Sequence, residues 1–124
     1  MNLKNRVLKK YRILAQHKIL VIDDDKDICQ VLKEHLDYHD MGMDCCSSLN
    51  GALHKLQGNV YRYIIVDGFV GSENGLKIAE KIKEKYPDSK LVFYSGSHLS
   101  EEYSIFEKCF KKTDIDGLMS FLNR

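Results

Sequence analysis

The 124-residue chain has no apolar run near the ~20 residues that a membrane-crossing helix needs, and its N-terminus is too polar for the core of a secretory signal. Its four cysteines, Cys29, Cys45, Cys46 and Cys109, show no Cys-x-x-Cys spacing. Adjacent Cys45 and Cys46 on a strand face opposite ways, which suits packed thiols better than zinc ligands. A reducing cytoplasm is the location these absences favour, with no membrane insertion. No repeat or low-complexity stretch interrupts the sequence, and net charge is only +1. What remains is a soluble domain, 44% hydrophobic and 30% charged, large enough to bury one core.

The charge is unevenly spread. Residues 1–17 hold five basic residues (Lys4, Arg6, Lys9, Lys10, Arg12) and no acid, leaving the rest at net −4. Leu3, Val7, Tyr11 and Leu14 recur at helical spacing, so residues 1–17 read as a basic amphipathic helical extension and 18–124 as the domain. Packing on its own domain, or on a second copy as a homodimer, is the preferred role. Five charges without a recognition motif argue against nucleic acid as the partner.

Within the domain, apolar runs end on carboxylates. Tyr63, Ile64, Ile65 and Val66 are β-branched or aromatic and read as a strand buried on both faces. Asp67 follows at once, with Gly68 beside it. Lys18 to Ile22 is a second such strand and delivers Asp23, Asp24 and Asp25. Acids at the carboxyl ends of buried strands sit where open α/β sheets bind ligands. Acids placed together repel, so the pattern points to a divalent cation.

Strand and helix then alternate. Ile28, Val31, Leu32, His35 and Leu36 form a helical stripe. Met43 to Ser47 reads as a short strand, and Asn50 to Leu56 as a helix stopped by Gly58. A loop with Gly71 and Gly75 leads to a helix through Leu76, Ala79, Ile82 and Tyr86, ended by Pro87. Lys90 to Tyr94 is a fourth strand, Leu99 to Phe106 a short helix, and Cys109–Phe110 a fifth strand. Ile115 to Leu122 is the last helix, with Thr113 and Asp116 as a capping box. The alternation predicts an α/β three-layer sandwich around a parallel sheet.

In such a sheet Asp23, Asp24, Asp67, Ser95 and Lys111 would converge on one edge. Paired acids can hold magnesium, Asp67 can attack phosphorus, and a hydroxyl and an ammonium can balance charge on phosphoryl oxygens. A calcium loop through Asp23, Asp25, Asp27 and Glu34 is disfavoured, because Ile28 holds its glycine position. His35 and His39, four apart, lack a metalloprotease motif around them.

The runs Ile19-Leu20-Val21-Ile22-Asp23-Asp24-Asp25 and Ile64-Ile65-Val66-Asp67, Gly75, Val92-Phe93-Tyr94-Ser95-Gly96 and Lys111 resemble the receiver domain of bacterial two-component response regulators. The resemblance spans Lys18 to Arg124. It implies a flavodoxin-like (CheY-like) fold with a five-stranded parallel sheet of order 2-1-3-4-5. It also implies that Asp67 accepts a phosphoryl group from a phosphohistidine on a sensor histidine kinase or phosphotransfer protein. Asp23, Asp24, Asp67 and the Phe69 carbonyl would hold Mg2+, while Ser95 and Lys111 act as switch hydroxyl and conserved-type lysine. Such a phosphoacceptor catalyses its own phosphorylation and dephosphorylation without being a classified enzyme.

Departures from the family pattern are specific. Gly71 replaces the usual proline four residues after the acceptor. Lys112 replaces the proline after the lysine, so both lysines are candidates, Lys111 being preferred for its distance to Leu118. Lys108 stands where an aromatic switch residue is usual. The interval from Ser95 to Lys111 is short by roughly one and a half helical turns, which shortens the fourth helix. With no effector domain expected after Arg124, the protein reads as a stand-alone phosphorelay or docking module with a downstream protein partner. The alternatives are a receiver-like interaction module working without phosphorylation, and a nucleic-acid accessory protein.

Overall fold

The structure is a computed structural model and describes residues 2–6, 18–96 and 104–124. Five parallel strands form the main sheet: β1 (Lys18–Ile22), β2 (Gly42–Cys46), β3 (Tyr63–Val66), β6 (Leu91–Ser95) and β7 (Phe106–Lys111). Their spatial order is β2-β1-β3-β6-β7. Two further strands, β4 (Phe69–Val70) and β5 (Glu73–Asn74), make a separate antiparallel hairpin. The helices are α1 (Lys26–Tyr38), α2 (Leu49–Leu56), α3 (Gly75–Lys85) and α4 (Ile115–Leu122). Omitting the hairpin, this is the 2-1-3-4-5 order implied by the family resemblance.

The period-two geometry of β1 divides the core. Leu20 and Ile22 join Ile64, Val66 and Phe93 on one face, where Ala52 of α2 and Ile78, Ala79 and Ile82 of α3 cover them. Ile19 and Val21 join Ile65, Val92 and Tyr94 on the other, under Leu32 and Leu36 of α1 and Leu118 and Leu122 of α4. Every residue of β1 from Ile19 to Ile22 is therefore buried. Burying each such side chain stabilises the fold by about 1.5–3 kcal/mol. Because α1 and α3 lie on opposite faces, the chain leaves β1 and β3 in diverging directions. That divergence opens a crevice beyond the carboxyl ends of the two strands.

The strands over Lys18–Ile22 and Tyr63–Val66 fall where the apolar runs place them. Elsewhere details differ. The residues after Asp67 form a hairpin instead of an irregular loop, turning through Gly71 at φ 62°. A proline, locked near φ −65°, could not occupy that position. Helix α2 ends at Leu56 with Gln57 as its C-cap, and Gly58, at the next position where a glycine stop belongs, lacks the positive φ of that motif. Helix α4 is capped by Asp114, whose side chain accepts from the Gly117 N–H, and not by Thr113. The last strand begins at Phe106, three residues before the Cys109–Phe110 pair. Of the adjacent cysteines, Cys46 packs on the core. Cys45 is exposed and joined to Cys29 as a disulfide, so packed thiols describe only one of them. Residues 3–6 are helical, and Asn2 accepts from the Asn5 N–H. The remainder of the N-terminal extension (7–17) and residues 99–103 of the helix expected over Leu99 to Phe106 lie outside the described residues. Ser104 and Ile105 are in a turn and Phe106 opens β7, so the end of that segment is not helical.

Candidate functional site

Asp23 and Asp67 are the first residues beyond β1 and β3. The Asp67 N–H donates to the Ile22 carbonyl at 3.1 Å, and the Asp23 N–H to the Cys46 carbonyl at 3.0 Å, so three strand ends are laced together. This backbone bonding positions both carboxylates over the crevice. Asp23 is buried, and its Oδ1 accepts from the Asp25 N–H at 2.9 Å. Asp67 Oδ1 accepts from the Gly68 N–H at 2.7 Å. One carboxylate oxygen from each of Asp23, Asp24 and Asp67 lies within 4.8 Å of the others.

The third acid of the run has another task. Asp25 is the N-cap of α1, with its carboxylate accepting from the N–H groups of Asp27 and Ile28. It satisfies two of the amides that a helix start leaves unpaired.

Lys112, and not Lys111, supplies the ammonium. Its Nζ lies 3.0 Å from Asp23 Oδ2 and 3.2 Å from Asp67 Oδ1. Lys111 is exposed, on the last residue of β7, in register with Ser95. The physical reason is directional. A side chain within a strand stands perpendicular to the sheet, whereas this pocket lies off the strand ends. Lys112, in the turn just past β7, can send its side chain across that end. Its N–H donates to the Ser95 carbonyl at 3.0 Å, and the Tyr94 hydroxyl donates to its carbonyl at 2.9 Å. Tyr94, not singled out from the sequence, thus fixes the backbone that carries the ammonium. The signal for Lys112 was present: like Asp23 and Asp67, it is the first residue past its strand. The position three before it is Cys109, so the corrected register still offers no aromatic residue there.

Electrostatics reflect crowding. Burial and the charge of Asp67 hold the Asp23 carboxyl above the ordinary carboxylate range, despite hydrogen bonds from the Asp25 amide and Lys112. For Lys112, burial works against its charge, but the hydrogen bond and charge of Asp23 and the charge of Asp67 outweigh it and raise its pKa.

Two glycines allow the close approaches. A Cβ on Gly68 would fall 2.5 Å from the Ser95 hydroxyl oxygen, which brings buried Ser95 beside the loop that follows Asp67. A Cβ on Gly75 would collide with the Asp67 carbonyl, and the Gly75 N–H donates to the Gly68 carbonyl at 2.8 Å. The glycine eight residues after Asp67 is therefore a packing requirement. The side chain of Phe69, two residues past Asp67, is 63% exposed. Its hairpin is tied down through Glu73, which accepts from the Leu49 N–H at the start of α2.

Three hard-oxygen acids within 4.8 Å of one another match the donor set of magnesium. The structure brings together Asp23, Asp24, Asp67 and Ser95 of the expected site, and replaces Lys111 by Lys112.

Comparison with known proteins bears on the fold and the family. The response regulator TrrA of Thermotoga maritima, crystallised in complex with Mg2+–BeF, is similar at 27% identity and TM-score 0.76, covering 85% of this chain and 95% of that one. TrrA in complex with the histidine kinase ThkA matches at 26% identity and TM-score 0.73, over 86% and 98%. A two-component response regulator of Clostridium difficile shares the fold at 23% identity and TM-score 0.76, over 85% and 91%. The family model for the response regulator receiver domain matches residues 19–117, and with these acids at its strand ends the chain belongs to that family.

Proposed function

We propose that the protein is a phosphoacceptor in which Asp67 takes a phosphoryl group from a phosphohistidine on a sensor kinase or phosphotransfer protein. The observation that carries this reading is the Asp67 carboxylate flanked by Asp23, Asp24 and the Lys112 ammonium in one crevice. The Asp67 oxygen forms a bond to phosphorus as the P–N bond of the donor breaks. Lys112 and the Ser95 hydroxyl would balance charge on the phosphoryl oxygens. Asp23, Asp24 and Asp67 would hold Mg2+, with the Phe69 carbonyl as a further ligand. When bound, the ion supplies the positive charge that lets a phosphoryl group approach three carboxylates. The complex of the similar TrrA with a histidine kinase supports a kinase as donor. A cytoplasmic location, a separate downstream protein and a homodimer formed through the segment before Lys18 complete the proposal.

Intact mass after incubation with acetyl phosphate and Mg2+ tests it. One phosphoryl mass is expected on the wild type and none on Asp67→Asn, which keeps the shape but removes the nucleophile. Equal labelling of the two would assign the acceptor elsewhere.

A further inference from the structure

The pocket chemistry leaves one pair of reactive groups unused. Cys29 in the first turns of α1 and Cys45 on β2 are joined across the sheet surface, with Cα atoms 6.7 Å apart. Their meeting follows from strand geometry. Cys45 is in register with Val21, whose face of the sheet carries α1. Cys46, one residue on, turns to the opposite face and stays a free thiol.

We propose that Cys29 and Cys45 are a reversible dithiol–disulfide pair that tunes the metal affinity of the acidic site, with the disulfide form binding more tightly. This rests on the metal-site reading above and adds its regulation.

Three observations carry it. The first is shared space: Cys29 and Cys45 line one surface groove of about 390 Å³ together with Asp23 and Asp24, and Lys26 and Lys33 line it too. The second is access: Cys45 is exposed, so a small oxidant can reach it. The third is connectivity. The Asp23 N–H donates to the Cys46 carbonyl, Cys29 Sγ lies 3.7 Å from the Asp23 carbonyl oxygen, and the Cys29 N–H donates to the Asp25 carbonyl. The disulfide therefore closes a small ring that runs from β2 through Asp23 and Asp24 to α1 and back. In the dithiol that ring is open at the sulfurs. A cation must hold mutually repelling acids in one geometry, and less conformational freedom is lost when their segment is already tied at both ends.

The exchange balances with a small organic disulfide as oxidant. The Cys45 thiolate attacks it and expels one thiolate. The Cys29 thiolate then attacks the Cys45 sulfur of the mixed disulfide and expels the second. Two electrons pass from the cysteines to the oxidant, and the two cysteine protons end on the two small thiols. A reversible bond of this kind in a cytoplasmic protein would report oxidising conditions.

The full-length protein is equilibrated with oxidised or reduced glutathione, trapped with iodoacetamide and mapped by peptide mass, while Mg2+ is titrated by calorimetry into each form. The oxidised monomer is expected to lose alkylation at Cys29 and Cys45 and to bind Mg2+ roughly fivefold or more tightly. Linkage requires the reciprocal effect: Mg2+ raises the disulfide-to-dithiol ratio by the same factor. Cys29→Ser and Cys45→Ser should bind as the reduced form in either buffer, while Cys46→Ser keeps the difference. Full alkylation of both cysteines, equal Mg2+ affinity of the two forms, or a difference that survives Cys29→Ser overturns the redox coupling. Absence of Mg2+ binding in both forms, with the disulfide still formed, overturns the metal site itself, a separately readable result.

Discussion

Strand β1 has a lysine–carboxylate cluster near each end, and the two acids respond in opposite directions. Near its start, Asp44 of β2 takes the Lys18 ammonium at 2.8 Å and the Tyr61 hydroxyl at 2.5 Å. Burial opposes ionisation there, but these two hydrogen bonds and the charges of Lys18 and Lys55 win and lower the Asp44 pKa. At the other end Asp23 also holds a lysine, yet its pKa is raised, because it is more deeply buried and Asp67 is beside it. One acid with its own cation and hydroxyl is a finished structural unit. Asp23 and Asp67 share the Lys112 ammonium with Asp24 close by, so among the described residues the acids outnumber the ammonium paired with them, and such a surplus favours a cation.

The comparison is broken most forcefully through the two lysines. Lys112→Ala is expected to slow acetyl-phosphate labelling of Asp67 by about 10²–10³-fold, the usual consequence of removing one stabiliser of developing charge. Lys18→Ala, at the balanced cluster, and Lys111→Ala, on the exposed strand end, should leave the labelling rate unchanged. A loss in Lys111→Ala comparable with that in Lys112→Ala would put the wrong ammonium in the pocket.

The acids of the loop sharpen the same contrast. Asp24→Ala should weaken Mg2+ binding by about tenfold or more, or at least ~1.4 kcal/mol. Asp25→Ala should leave Mg2+ affinity in place and instead cost about 1 kcal/mol of stability as a lost helix cap. Calorimetry for the first and urea unfolding for the second distinguish them, and equal losses of affinity would erase the division of labour.

Stability without metal should reveal the opposite signs directly. Asp44→Asn is expected to destabilise by about 0.5–1 kcal/mol, since its pair is part-exposed. Asp23→Asn should stabilise the metal-free protein by about 1 kcal/mol, by relieving the burial and repulsion that raise its pKa. The pH dependence follows by linkage. Asp44, depressed on folding, contributes stability above its unfolded pKa of 3.8 that is lost as pH falls through its lower folded value. Asp23, raised on folding, carries a penalty above its folded pKa that fades as pH falls from that value toward 3.8. Urea midpoints against pH should therefore show the Asp23→Asn gap closing first and the Asp44→Asn gap closing only below 3.8. The same sign for both variants at neutral pH would dissolve the distinction.

The smallest effect belongs to the mouth of the pocket. An acyl phosphate hydrolyses when water attacks in line, and Phe69, exposed two residues past Asp67, offers an apolar ring that would exclude it. Phe69→Ala should shorten the phosphoryl lifetime severalfold with little change in fold, read from the decay of the phosphorylated mass. An unchanged or longer lifetime would remove Phe69 as the shield.

How much was legible follows from how local each signal is. Lys18–Ile22 and Tyr63–Val66 were read residue for residue, because a strand covered on both faces is apolar throughout. Strand β7 was read only at Cys109 and Phe110. It is an edge strand with exposed Glu107 and Lys108 and a register irregularity opposite Leu91 and Val92, so its polarity does not alternate cleanly. The hairpin at Phe69–Asn74 went unread because two strands of two residues carry no periodicity, and its form depends on the positive φ of Gly71.

The sequence by itself determined the sheet, the acids at its strand ends and their family, since burial writes those patterns into consecutive residues. Only the tertiary structure decided between Lys111 and Lys112, made Asp25 a helix cap, and brought Cys29 to Cys45. Each of those depends on where a side chain points after the chain turns. Direction in a turn is set by hydrogen bonds from other strands, such as Tyr94 to the Lys112 carbonyl, and these link residues far apart in the chain.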